Sequence, residues 1–395
     1  MSFSLHVVFR HEATHCVAFS VVAWLLLLPH RALSCPPVSS RPTLTANTQC
    51  EKPANGLRLV NPSSASLQNI EGQIAQEQFA RGLKFYSAGQ MTAAEKAFKA
   101  AVRAEPGEPN YVKEIARFYI DGGKYEQAIG VIRDYVKLCG ATAVGYALEA
   151  ELLFKQRQYD AALVAIHDSL ALSDHSARMH ELLGLVLIMK RQKAAASLEL
   201  AEAAELDPDN PQIRYYYART LYSIGQYKQG ALQFEACLRL QPNYRMARWN
   251  LALCYEALRE YPNASRNFQQ AIALEKEQKG PKQGEPFGFY GSMLFKLGKP
   301  KKALAILRDG VTESPGSFVA NYEFGRVLLS LGRTHEAEHY LLVARNLAPN
   351  YPRVYYLLGK VYENEHRMKQ ARADWARFEE LNKGALGIGY PLTDP

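Results

Sequence analysis

Apolar and polar positions along this chain repeat with a period of 34 residues. Positions 4, 7, 8 and 11 of each unit follow the i, i+3, i+4, i+7 spacing of an apolar helical face, and positions 20, 24 and 27 form a second such face. A period of this length predicts one repeated pair of helices rather than several unlike domains. The units begin at residues 75, 109, 143, 177, 211, 245, 284, 318 and 352, with five inserted residues at 279–283.

Small and large residues alternate at fixed positions of the unit. Positions 8 and 20 hold only glycine or alanine, whereas position 24 is large and apolar in all nine units. Two antiparallel helices approach closely only where no bulky side chain stands between them, so the alternation favours tight helix pairs. The residues at position 8 are Gly82, Ala116, Ala150, Gly184, Ala218, Ala252, Gly291, Gly325 and Gly359. Those at position 24 are Phe98, Ile132, Ile166, Leu200, Phe234, Phe268, Leu307, Leu341 and Trp375.

Turn-forming residues fall between and after the two predicted helices. Glycine marks the turn inside several units, as at Gly89, Gly123 and Gly225, and proline often closes the unit, as at Pro106 and Pro208. Proline is common just beyond a helix end because it cannot continue the helix. Together these positions resemble the tetratricopeptide repeat pattern over most of the chain, from residue 67 to residue 385.

The resemblance implies an all-α fold, a right-handed superhelical solenoid of about nine helix-turn-helix repeats. In this family the first helix of each repeat lines a concave groove, mainly through positions 2, 5, 9, 12 and 13. Here positions 5 and 12 are rich in aromatic rings, and position 9 is often basic. The candidate partner-binding residues are Phe79, Tyr86, Arg117, Phe154, Tyr215, Arg219, Tyr222, Trp249, Phe295, Tyr322, Arg326, Tyr356 and Lys360.

These side chains predict the chemistry of a partner. Aromatic rings offer rigid contact area, and arginine offers paired hydrogen bonds to a carboxylate. We therefore expect protein or peptide ligands with apolar and acidic residues. Tyr215, Arg219 and Tyr222 are the best local candidate, because the spacing i, i+4, i+7 places them on one face of a helix. The alternative is that individual rings pack inside their own repeats.

An uncharged run of 13 residues, from 16 to 28, precedes the repeats. It is shorter than the about 20 apolar residues that span a membrane. It has the length of a signal-peptide core, with Arg10 before it and a small-x-small cleavage site at 32–34. We expect residues 1–34 to be a signal peptide and residues 35–66 to be a flexible tether rich in proline, serine and threonine.

Three interpretations of the mature N-terminus remain open. Cleavage after Ser34 leaves Cys35 first, so an exported bacterial-type protein is either free in the periplasm or outside the cell, or anchored as a lipoprotein through Cys35. The third interpretation is an N-terminal anchor that is retained. Membrane contact is expected only if Cys35 is lipidated. Residues 386–395 are expected to form a short C-terminal tail.

The six cysteines are too few for a fold built on disulfides. Cys35 and Cys50 bracket the tether and form either a disulfide after export or two free thiols. Cys237 and Cys254 lie in adjacent repeats and are expected to be buried thiols, with an interhelix disulfide as the alternative. Cys139 has no obvious partner in the sequence.

Composition and charge narrow the classes of function. The chain has 395 residues, of which 48% are apolar and 22% are charged. This balance is globular and disfavours both a disordered chain and a multi-span membrane protein. The net charge is +8, and basic residues alternate with acidic ones along the predicted helices. We therefore expect no nucleic-acid partner.

Motifs for catalysis or metal binding are weak in this sequence. His11 and His15 complete an H-E-x-x-H pattern, but the pattern lies inside the expected signal peptide and no catalytic domain surrounds it. His335 and His339 share a predicted helix face without an evident third and fourth ligand. The sequence therefore predicts no enzyme activity, no cofactor and no metal site.

The leading functional hypothesis is a non-catalytic scaffold or adaptor that binds protein or peptide partners in its concave groove at the cell envelope. Two alternatives remain open. One is an envelope assembly or secretion lipoprotein anchored through Cys35, and the other is an accessory subunit of an enzyme complex. The repeats define the shape of the molecule, while a few groove side chains decide what it binds.

Overall fold

The structure is a computed structural model that describes residues 62–383, except for residues 174, 279 and 281, with side chains from residue 71 onward. This part of the chain forms eighteen α-helices and no strand. The first helices of the nine repeats are α1 (Pro62–Ser87), α3 (Pro109–Asp121), α5 (Ala143–Lys155), α7 (Ala177–Met189), α9 (Pro211–Ser223), α11 (Arg245–Ala257), α13 (Glu285–Lys296), α15 (Phe318–Ser330) and α17 (Pro352–Asn364). The second helices are α2 (Met91–Ala104), α4 (Tyr125–Cys139), α6 (Tyr159–Leu172), α8 (Lys193–Leu206), α10 (Tyr227–Leu240), α12 (Tyr261–Glu277), α14 (Pro300–Glu313), α16 (Thr334–Leu347) and α18 (Met368–Lys383).

The helix starts follow the 34-residue register of the sequence. All nine second helices begin at position 17 of their units, and seven first helices begin at position 1. Local chemistry sets these starts. Proline opens α3, α9 and α17, where its missing N–H costs nothing. The hydroxyls of Thr142, Ser176 and Ser317 accept hydrogen bonds from backbone N–H groups in the first turns of α5, α7 and α15.

The turn within each repeat uses one residue in the left-handed region, always at position 15. Five repeats place glycine there, for example Gly225 with φ of 82°. The other four place Arg157, Arg191, Arg259 and His366 there, with φ between 59° and 62°. A side chain with a β-carbon pays a steric cost in this conformation. The turn is therefore dictated by the packing of the helix pair, even where glycine is absent.

The tight helix pairs rest on direct contact between positions 8 and 24. A β-carbon added at Gly184 would lie 2.6 Å from Leu200 Cγ, and one added at Gly325 would lie 2.7 Å from Leu341 Cγ. Gly82 faces Phe98 in the same way, at 2.6 Å from Cδ1. The small residue thus receives the large side chain of its own repeat. This confirms the tight helix pairs that the alternation favoured and the all-α solenoid that the resemblance implied.

The ends of the described chain differ from the interior repeats. Helix α1 begins at Pro62, five residues inside the segment that the sequence predicts as tether. Helix α18 buries only Ala371 and leaves Lys369 and Arg372 exposed, so its polar face closes the stack as a capping repeat requires. The expected signal peptide, residues 35–61 of the tether and the tail lie outside the described residues, as do Cys35 and Cys50.

The cysteines of the repeats divide into two kinds. Cys237 and Cys254 are free and buried, so the interhelix disulfide considered from the sequence does not form. The Sγ of Cys237 donates to the carbonyl oxygen of Pro211 at 3.1 Å, and burial raises the pKa of both thiols to about 12. Cys139 is disulfide-bonded, although its sequence context offers no obvious partner.

A buried carboxylate holds Gln283, the last residue of the insertion between the sixth and seventh repeats. Glu275 has 0% exposure, and its Oε1 accepts hydrogen bonds from the backbone N–H groups of Gln283 and Gly284. Its Oε2 lies 2.9 Å from Nε of Arg245. That N–H is not aligned with the oxygen, so the contact is an ion pair rather than a hydrogen bond. Burial, then the nearby Glu275 charge, raises the pKa of Glu285 to about 7.

Candidate partner-binding groove

The first helices of successive repeats lie side by side from α3 to α17, each in contact with the next. Their shared face carries a cavity of about 590 Å³ that spans the fourth to the seventh repeats. Most of its wall comes from α7, α9, α11 and α13, and Lys193 at the start of α8 completes its rim. We call this cavity the central groove. It is the candidate site because side chains from four repeats converge on it.

The walls of the central groove are apolar on both sides of α9. Helix α7 contributes Leu185 and Ile188, while α11 and α13 contribute Leu253, Ala257 and Phe289. Leu185, Leu253 and Phe289 are almost fully buried, so packing holds these side chains in place at the base of the groove. Such a surface suits apolar side chains of an extended segment.

Two of the thirteen candidate residues, Arg219 and Tyr222, line the central groove. The ring of Tyr222 lies 5.3 Å from that of Tyr227, centroid to centroid. Burial raises the pKa of Tyr222 to about 12, so its hydroxyl is protonated and able to donate at neutral pH. Tyr222 therefore offers a partner a neutral donor beside an apolar ring.

Three candidate rings are packing residues instead, which corrects the expectation of free contact area. Tyr215, Trp249 and Tyr322 are at most 6% exposed. Tyr215 packs on Tyr244 at 5.0 Å between centroids, and Trp249 stacks on Phe289 at 5.5 Å. Tyr322 similarly lies between Phe318 and Tyr351. Tyr244 and Tyr351 end the same units as Tyr215 and Tyr322, so these two rings pack within their own repeats, while Trp249 joins the sixth repeat to the seventh.

The remaining aromatic candidates lie outside the central groove. Phe79 packs on Tyr111 with centroids 4.7 Å apart, and Phe154 is half-buried beside Tyr159. Tyr86 and Tyr356 are more than a third exposed. The structure places Phe295 beneath the guanidinium of Arg326 at 5.9 Å. These rings belong to separate repeats and do not form one continuous stripe.

Two basic candidates are already neutralised by carboxylates of the protein. Arg117 Nη2 donates to Glu151 at 2.6 Å, and Arg178 Nε donates to the same carboxylate at 3.0 Å. Burial alone would raise the pKa of Glu151, but the two guanidinium groups outweigh it and hold this pKa below its usual value. Arg326 Nε donates to Glu323 at 2.8 Å. Arg117 and Arg326 are therefore already paired within the protein.

Arg219 differs from Arg117 and Arg326. Its guanidinium lies 5.6 Å above the ring of Tyr215, and no carboxylate within the described ranges forms an ion pair with it. Lys296 on the same surface is paired with Glu256 at 2.9 Å. Lys360, in the ninth repeat, is exposed above Tyr356 at 5.5 Å. Arg219 is thus the half-buried positive charge that the central groove leaves without a counter-charge.

Sequence reasoning missed position 6 of the repeat. Tyr216, Asn250 and Phe289 occupy this position in three successive repeats, and all three line the central groove. Position 6 lies three residues before position 9, so the two positions share a helix face. That spacing is the signal in the sequence that would have revealed them.

The outer face of the solenoid carries a separate apolar ridge. Val164, Leu198 and Leu232 occupy position 22 in three successive repeats and are each more than half exposed. They belong to the second helices α6, α8 and α10, whereas the central groove is built mainly from first helices. The second helices therefore provide control positions for tests of the groove.

One cluster of possible metal ligands occurs in the described part of the chain. Single ligand atoms of His335, Glu338 and Glu365 lie within 4.8 Å of one another. Arg367 already pairs with both carboxylates, at 2.8 Å from Glu338 and 2.7 Å from Glu365. The guanidinium supplies the positive charge that a cation would bring, so this cluster is an ion-pair network centred on Arg367. No described helix is both long and apolar enough to cross a membrane.

Two family models, both described as tetratricopeptide repeat, match residues 79–141, 148–211 and 217–274 and residues 294–361. Together these ranges cover more than half of the chain. The chain belongs to the tetratricopeptide repeat family. The repeats of this family serve as protein-interaction scaffolds, and the tetratricopeptide repeat chain is accordingly a protein-interaction scaffold. No curated protein sequence is similar enough to the chain to count as a relative.

The chain is similar to several solved structures at low sequence identity. The APC/C hetero-tetramer Cut9-Hcn1 matches with a TM-score of 0.53 and 13% identity, over 69% of this chain and 52% of that one. The tetratricopeptide repeat chain therefore spans about half the length of this neighbour. Pseudomonas aeruginosa pilF matches with a TM-score of 0.48 and 18% identity, over 56% of this chain and 97% of that one. A tetratricopeptide repeat protein from Parabacteroides merdae matches with a TM-score of 0.46 and 16% identity, over 73% and 99%.

Proposed function

We propose that this chain is a non-catalytic scaffold that binds a protein or peptide segment in the central groove. The observation that carries the proposal is the convergence of apolar side chains from four repeats around one uncompensated guanidinium, that of Arg219. Apolar walls favour burial of apolar partner side chains, and the guanidinium favours a carboxylate. The partner is therefore a segment with apolar and acidic residues.

The proposed site of action is the cell envelope. The uncharged run before the repeats and the cleavage site at 32–34 support export of the chain. The disulfide at Cys139 supports the same conclusion, because such bonds persist in oxidising compartments outside the cytoplasm. Anchoring through a lipid on Cys35 is the variant of this proposal in which the scaffold is held at the membrane surface.

Ala257 provides a direct test, because it lines the central groove and is itself exposed. We expect Ala257→Tyr to fill the groove and to reduce recovery of the specific partner at least about tenfold, since the partner loses its apolar contacts. The tagged full chain is isolated from the fraction released by osmotic shock and from the membrane fraction, and bound proteins are identified by mass spectrometry.

Ala195→Tyr is the matched control, because Ala195 is also exposed but lies on the second helix α8. It should recover the partner as the unmodified chain does. Equal recovery with Ala257→Tyr would contradict binding in the central groove. A chain found only in the cytoplasmic fraction would contradict the envelope location.

A further inference from the structure

Several basic groups of the inner face are paired with carboxylates of the protein, but the half-buried Arg219 near its middle is not. Arg117, Arg178 and Arg326 each donate to a carboxylate of the protein, and Lys296 does so as well. Arg219, between these groups, has no such partner among the residues that the structure describes. A half-buried guanidinium with no counter-charge gains most from a carboxylate brought by a ligand, because such bonds are charge-assisted.

The apolar walls extend in both directions from Arg219. Helix α9, which carries Arg219, contacts α7 on one side and α11 on the other. Leu185 and Ile188 lie on the α7 side, and Leu253 and Phe289 lie beyond α9 on the opposite side. A ligand that reaches Arg219 therefore has apolar surface before it and after it.

We propose that the central groove recognises an internal glutamate or aspartate of an extended partner segment, with Arg219 holding the carboxylate and apolar partner residues on both sides of it. This inference rests on the proposed function and specifies its ligand. A free C-terminal carboxylate is the other source of the same chemistry. It would end the segment at Arg219 and leave one apolar wall open to water, at a cost proportional to the uncovered area.

The neighbours of Arg219 fit the same ligand. Lys193 at the rim is exposed and adds positive charge, which draws an acidic segment toward the groove. Glu256 is the acidic residue of the lining. Because it is paired with Lys296, its electrostatic repulsion of an incoming carboxylate is reduced. The hydroxyl of Tyr222 is protonated at neutral pH, since burial raises its pKa.

To test this assignment, two libraries of random nine-residue peptides are displayed on phage and screened for binding to the full chain. In one library both ends are fused to flanking sequence, so that every carboxylate is an internal side chain. In the other the C-terminus is free. We expect the internal library to be enriched for one acidic position with apolar residues on both sides.

Binding of the most enriched peptide is then measured by fluorescence anisotropy. Exchanging its acidic residue for the corresponding amide should weaken binding at least about tenfold, and Arg219→Gln should do the same. The two changes together should cost little more than either alone, since they remove the same contact. Lys228→Gln, which removes an exposed charge on α10, should leave binding unchanged.

The outcomes separate this assignment from the broader function. Three results would each overturn the role of Arg219. They are enriched peptides that lack an acidic residue, enrichment only in the free C-terminal library, and full binding by Arg219→Gln. If such peptides still lose binding with Ala257→Tyr, the groove remains the binding site. If neither library yields a peptide whose binding is lost with Ala257→Tyr, both the role of Arg219 and the groove as the binding site are overturned.

Discussion

Replacing Glu275 with alanine is expected to lower the free energy of unfolding by about 3–5 kcal/mol, the cost of breaking a buried ion pair from one side. The side chain of Glu275 is wholly buried, and Arg245 Nε lies 2.9 Å from it. The change removes the carboxylate that forms an ion pair with this guanidinium. It also leaves the N–H groups of Gln283 and Gly284 without their acceptor, so these two residues lose their attachment to α12.

Urea unfolding followed by circular dichroism measures this effect. Glu277→Ala is the matched control, because Glu277 ends the same helix but is exposed, and we expect it to change the free energy by less than about 0.5 kcal/mol. An unfolding midpoint of Glu275→Ala equal to that of the control would show that the carboxylate does not hold Gln283 and Gly284.

Replacing Gly184 with leucine is expected to cost about 3 kcal/mol, at the upper end of overpacking effects. The first carbon of the new side chain would lie 2.6 Å from Leu200 Cγ, and Leu200 is fully buried. The helix pair α7 and α8 must then separate. Because stability in a repeat array comes from interfaces between neighbours, the damage should extend to the adjoining repeats.

Gly130→Leu is the control for this prediction. Gly130 lies within α4, and a β-carbon there would meet nothing within 4 Å. Leucine favours a helix over glycine by up to about 1 kcal/mol, so the control should be as stable as the unmodified chain or slightly more stable. Hydrogen exchange across α7 and α8 would locate the loosening in Gly184→Leu. Unchanged protection there would contradict the assigned contact of position 8 with position 24.

The sequence predicts the solenoid well because its signal is local and repeated. The contacts between positions 8 and 24, such as Gly184 with Leu200, join residues of one repeat, and each repeat gives the same contact again. The start of α1 at Pro62 was not predicted, because that helix extends ahead of the first unit and outside the periodic pattern.

The groove is less predictable because its side chains are shared between repeats. Whether Arg117 is available to a ligand depends on Glu151, 34 residues away, and nothing in one repeat reports that pairing. Trp249 likewise stacks on Phe289 of the next repeat. Arg219 was a candidate from the sequence together with three other basic residues, and only the pattern of ion pairs distinguishes it from Arg117 and Arg326.

Site-specific photo-crosslinking in living cells tests the central claim most directly. A benzophenone amino acid replaces Tyr222 in the central groove or Lys228 on the outer helix α10. Binding in the groove predicts a discrete crosslinked partner from position 222, none from position 228, and loss of the product when Ala257→Tyr is added. A partner captured equally from both positions, or only from position 228, would contradict the groove as the site of binding.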